Sequence, residues 1–100
     1  MKKIGNEYTN SVFENIKHID EFGNEFWYAR ELSKVLEYKD WRNFLKVLNK
    51  AREACKNSGI NVKEQLVDIN KLSKRNNNAL INIGDYKLSR YICYLIVQNA

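Results

Sequence analysis

Arg42, Lys46, Asn49 and Lys50 recur at spacings of four, three and one in WRNFLKVLNKA, and a second basic pair, Lys74-Arg75, stands inside the polar run SKRNNN. Cationic and amide side chains three and four residues apart share one side of a helix. There they can neutralise phosphates and reach base edges, the two tasks of a nucleic-acid-binding surface. The chemistry they fit is polyanion binding rather than the making or breaking of bonds.

Catalytic arrangements find no such support. The chain has one histidine, His18, and two cysteines, Cys55 and Cys93, with no CxxC pair, no Gly-rich phosphate loop and no Ser/His/Asp or Cys/His constellation. Glu25, Asp40, Asp68 and Asp85 stand at expected turns or helix starts, where capping accounts for them. No enzymatic activity, cofactor or metal is therefore expected. Both cysteines fall on apolar helical faces and read as buried, reduced thiols.

The distribution of charge supports the polyanion reading. The net charge is +5 over 100 residues. Residues 29–63 hold nine Lys and Arg against four Asp and Glu, while residues 1–28 hold three against five. The excess thus lies in the segment that carries Arg42, Lys46 and Lys50. With 44% hydrophobic residues and twelve aromatics, the chain has material for one core and too little length for two. No apolar stretch follows the opening lysines as a secretory signal would require, and the run YICYLIV is far shorter than the roughly 20 residues of a membrane span. A cytoplasmic location is expected.

The elements that must position these residues follow from periodicity. Residues 1–10 are polar and read as a frayed, disordered terminus, and residues 11–100 as a single domain. Ser11 with Glu14 has capping-box spacing, although Val12, Phe13, Ile16 and Ile19 fit a strand equally well. The segment IKHIDEFGNEFWYA reads as a hairpin turning at Gly23-Asn24. Ala29, Leu32, Val35 and Leu36 define a short amphipathic helix. Asp40 caps a longer one ending before Ser58-Gly59, with Phe44, Val47, Leu48, Ala51 and Cys55 inward and the cationic stripe outward. A helical turn over Val62–Leu66 leads into a second hairpin that carries Lys74 and Arg75 at its tip. Asp85 is expected to cap a last helix, YKLSRYICYLIVQN, apolar over nearly its whole circumference. Trp27 and Trp41 are both expected to face the core, Trp41 with Leu45 at its edge. The fold class is α+β: two β-hairpins, an amphipathic helix pair and a buried C-terminal helix.

Two functional readings emerge. In the first, ARELSKVLEYKDWRNFLKVL is a helix-turn-helix whose second helix presents Arg42, Lys46, Asn49 and Lys50 to DNA, duplex or single-stranded, with Lys74-Arg75 acting as a wing. Its turn has Glu37 where such motifs place Gly. In the second, Tyr91, Ile92, Leu95 and Ile96 of the last helix dock onto a protein partner or a second copy, giving a homodimer.

The stretches FENIKHIDEFGNEFWYARELSKVLEYKDWRNFLKVLNKAREACKNSG and DYKLSRYICYLIVQN resemble the N-terminal region of the bacterial DNA-damage-inducible protein D family. That family is in turn similar to the N-terminal domain of BRO proteins and phage antirepressors. The resemblance runs from Phe13 to Asn99. It implies a bacterial protein of the DNA damage (SOS) response, DNA-binding or antirepressor-like, with a repair or repressor protein as a further partner. It also implies that the chain is the N-terminal fragment of a longer protein. It assigns no contact or catalytic residue.

Overall fold

The computed structural model describes residues 6–74 and 76–99. It contains five helices, α1 (Asn6–Ile16), α2 (Ala29–Val35), α3 (Trp41–Asn57), α4 (Val62–Gln65) and α5 (Arg90–Asn99). Four strands, β1 (His18–Ile19), β2 (Glu25–Tyr28), β3 (Leu66–Lys74) and β4 (Leu80–Leu88), form one antiparallel sheet in the order β1-β2-β4-β3. The fold is α+β, with both expected hairpins and the helix pair between them.

Local chemistry accounts for most boundaries. The Asp20 carboxylate accepts from the Phe22 and Asn24 backbone N–H groups, both at 2.9 Å, and Gly23 takes φ 83°, which closes the β1–β2 turn. Asp40 caps α3 by accepting from the Arg42 N–H at 2.9 Å. Asn61 does the same for Lys63 in α4. The ambiguous segment before Ile16 is helical, beginning at Asn6 within the stretch that composition read as frayed.

The core lies on one face of the sheet. Register aligns Leu66, Leu88 and Trp27 in one row across β3, β4 and β2, and all three are buried. The next row, Val67, Lys87 and Tyr28, projects to the other face, as a two-residue period requires. On the buried side, α3 and α5 pack against each other. Phe13, Phe44, Leu48, Ile92 and Ile96 join Trp27 there, each at most 1% exposed. The Trp27 indole N–H donates to the Phe13 carbonyl at 2.9 Å, so the buried ring leaves no donor unpaired.

One expectation needs correction here. Asp85 does not cap the last helix. The β3–β4 pairing runs without interruption to Leu66↔Leu88, which holds Tyr86, Lys87 and Leu88 in strand, and α5 begins only at Arg90. Ser89 takes the capping role: its hydroxyl accepts from the Ile92 N–H at 3.2 Å. Asp85 is instead fully buried and caps α2 across space, accepting from the Arg30 N–H at 3.0 Å. That helix has no side-chain cap of its own, because Tyr28 occupies its N-cap position. Trp41 is half-buried and packs with Leu45 against the edge of the core, where the helical period places both.

Candidate nucleic-acid interface

The cationic stripe of α3 stands out into solvent. Arg42, Lys46, Asn49 and Lys50 are all exposed, while Phe44, Val47, Leu48, Ala51 and Cys55 on the opposite side are buried. The burial follows from amphipathic periodicity over a seventeen-residue helix. Fixing the apolar face against α5 also fixes which side chains point outward.

The turn that aims α3 has a specific geometry. At the end of α2 the Glu37 N–H donates to the Lys34 carbonyl at 3.0 Å and the Tyr38 N–H to the Ser33 carbonyl at 2.9 Å. Glu37 itself takes φ 64°. This is the Schellman arrangement that ordinarily recruits glycine. The end of α3 repeats it with a glycine: Gly59 (φ 76°) donates to the Lys56 carbonyl at 3.0 Å and Ile60 to the Cys55 carbonyl at 3.3 Å. Glu37 therefore occupies the left-handed position that a helix-turn-helix gives to Gly, and carries the steric cost of a Cβ there.

The β3–β4 hairpin is nine residues long on each side, about 30 Å by the ordinary rise per residue. Most of its outer half is exposed. Lys74 is exposed where β3 ends; Arg75, the other expected wing residue, lies outside the described residues. Leu72 and Leu80 are 66% and 61% exposed on the same hairpin.

Between α2, the α2–α3 turn and this hairpin lies a cleft of about 470 Å³. Four cations line it, Arg30, Lys34, Lys39 and Lys71, with Trp41 and Tyr38 as aromatic wall and Glu31 as the acidic member. The Arg30 guanidinium sits 4.1 Å from the Trp41 ring centroid, and its Nε–H donates to the Gly84 carbonyl at 2.7 Å. Trp41 in turn stacks on Phe44, with centroids 5.5 Å apart. Lys71 reaches 3.6 Å from Asp85 Oδ2, the oxygen of that buried carboxylate that accepts no hydrogen bond, and lies 5.0 Å from the Tyr28 ring. Glu31 is engaged with His18, 2.6 Å away. The sequence hinted at part of this set, since Arg30 and Lys34 are four apart on α2, but Lys71 joins them only through the fold.

The last helix does not supply the expected patch. Ile92 and Ile96 are fully buried, packed in the core with α3, and Tyr91 and Leu95 are half-buried against it. Its first residue, Arg90, donates from Nε and Nη2 to Glu25 at 2.6 and 2.9 Å and reaches Glu14 at 3.4 Å. These hydrogen bonds hold the Glu25 carboxyl below its ordinary value, and Glu14 is lowered by its bonds to Lys17 and Arg90. Burial pushes both thiols, Cys55 and Cys93, upward, as inert core cysteines require. Among the described residues no three His, Cys, Asp or Glu side chains converge as a metal site, and no helix is long and apolar enough to cross a membrane.

Residues 15–100 match the BRO family, N-terminal domain. The chain belongs to that family. It is also 46% identical, over 88% of its length, to DNA damage-inducible protein D of Escherichia coli strain K12. It spans 32% of that relative's own length. No solved structure matches it. In this BRO domain the most basic part of the sequence thus forms two adjoining surfaces. Trp41 lines the cleft, and Arg42, the next residue, begins the exposed stripe.

Proposed function

We propose that this chain is the DNA-binding domain of a bacterial DNA-damage response protein. The observation that carries the reading is α3: the second helix of a tightly turned pair, buried along one side and exposing Arg42, Lys46, Asn49 and Lys50 along the other. A helix so placed can enter a major groove with its early polar residues toward bases and phosphates. The name of the Escherichia coli relative supports the damage-response context. In this reading the domain acts in the cytoplasm, where bacterial DNA lies, and binds rather than catalyses. Lys74 contributes at most one phosphate contact from the hairpin.

The test is a duplex-DNA titration at several salt concentrations. Each phosphate contact contributes a slope of about −0.9 in log K against log salt. Changing Arg42, Lys46 and Lys50 together to Glu should nearly abolish binding with the fold intact, and any residual slope should be flatter by roughly 2 to 3. Wild-type-like binding by this triple variant would remove the reading.

A second reading, an antirepressor-like protein-interaction module, draws on Leu72 and Leu80, large apolar side chains exposed together on the hairpin. Leu72→Ser with Leu80→Ser should leave duplex affinity unchanged if DNA is the partner.

A further inference from the structure

The α3 stripe is convex, whereas the neighbouring cleft is concave, and the two shapes suit different ligands. A convex row of cations follows the backbone of an extended polyanion. A pocket of about 470 Å³ falls within the range of roughly 300 to 1,000 Å³ typical of small-molecule sites. Four cations against one carboxylate line it, and that carboxylate, Glu31, is already engaged by His18. Asp85 offsets Lys71 and Glu31 offsets one further cation, so the charge facing the cleft stays net positive among the described residues.

Arg30 is the most strongly positioned of the four. Its guanidinium is layered on Trp41, which itself stacks on Phe44, and its Nε–H is fixed by the Gly84 carbonyl. Its terminal NH2 groups carry no hydrogen bond or ion pair within the described residues, so the fork is oriented but not consumed. Immobilising an arginine ordinarily opposes binding; here the fold has already done so. Because Arg30 covers the face of Trp41 it is layered on, a planar base has no access to the indole there. It would meet the outer face of the Arg30 guanidinium instead, a plane on which nucleobases also stack. Lys71 is held by its approach to the buried Asp85 Oδ2 and stands across the cleft from Lys34, on the hairpin side.

We propose that this cleft is a second anion site, separate from the α3 stripe, which takes one phosphate-bearing nucleotide unit. The phosphate sits among Arg30, Lys34, Lys39 and Lys71, and the base lies toward Arg30 and Tyr38. The proposal rests on the nucleic-acid reading only for the identity of its ligand as a nucleotide. The unit is either the phosphorylated end of a DNA strand or a free nucleotide.

The experiment titrates thymidine 5′-monophosphate, and separately a short single strand with a 5′-phosphate or a 5′-hydroxyl, into the 15N-labelled 100-residue chain. Saturable shifts are expected at the Trp41 indole N–H and at the Lys34, Lys39 and Ser73 amides, with Asn49 and Lys50 unmoved by the mononucleotide. Lys34→Glu with Lys39→Glu, both at exposed positions, should weaken the mononucleotide roughly tenfold or more, about 1.4 kcal/mol or more. A preference for the 5′-phosphorylated strand that disappears in this variant identifies a strand end. Mononucleotide binding without such a preference identifies a free nucleotide. Absence of saturable shifts with every ligand, or shifts unchanged in the Lys34/Lys39 variant, overturns the proposal. The Arg42/Lys46/Lys50 triple variant separates the two claims: it should retain the mononucleotide site whether or not its duplex binding is lost.

Discussion

The two tryptophans each lie beneath an arginine, and the pairs have opposite consequences. Trp27 is fully buried, and Arg90, 5.2 Å from its ring centroid, gives its fork to Glu25 and Glu14. Trp41 is half-buried, and Arg30, at 4.1 Å, gives only its Nε–H, to a neutral carbonyl. In the first pair the cation is neutralised by carboxylates and ties α5 to β2 and α1. In the second the cation is oriented while its charge remains available. The same contact is a structural clamp in one place and a prepared anion site in the other, and the counter-charge makes the difference.

That comparison can be broken by substitution. Trp27→Ala removes a fully buried ring from the centre of the core and should cost about 3 to 5 kcal/mol, measured by urea denaturation. A cost below that of Trp41→Ala would reverse the assignment. Trp41→Ala should cost less, about 1 to 2 kcal/mol, because only part of the ring leaves water. It should also loosen Arg30 and weaken the binding of thymidine monophosphate in the cleft.

The smallest effect sharpens the clamp. Glu25 is held below its ordinary value near 4.5 by Arg90. A carboxylate depressed in this way stabilises the fold above its unfolded pKa, and that stabilisation is lost as the pH falls through the folded one. Glu25→Gln should therefore lower the melting temperature modestly at neutral pH, since the pair is a third exposed and screened by solvent. The gap from wild type should shrink in acid. A gap that persists unchanged at pH values well below 4.5 would mean that Glu25 acts through packing rather than charge.

Much of the fold was legible because it rests on local rules. The helical period of α3 assigns Phe44, Leu48 and Cys55 inward and Lys46 and Lys50 outward without reference to any other element. Asp40 and Gly59 mark its ends through bonds made within a few residues. The turn chemistry of Asp20 and Gly23 is equally local. Glu37 shows the limit of such rules. Its identity argued against a glycine-type turn, yet the backbone adopts one, because the burial of Ala29 and Leu32 on one side of the turn and Phe44 on the other holds the two helices in place.

What tertiary structure decided is the pairing of distant residues. Asp85 looked like a cap for the helix that follows it, but strand pairing through Leu88 carries it to the start of α2, fifty-five residues away from its partner Arg30. The apolar α5 could have been an exposed surface or a central element. Packing against α3 makes it central, because burying Ile92 and Ile96 removes more apolar area from water than any solvated alternative. By itself the sequence determined the stripe of α3, whose residues are neighbours on one helix. The cleft required the fold, because Lys71 on β3 and Arg30 on α2 share a wall only once strand register and helix docking have brought them together.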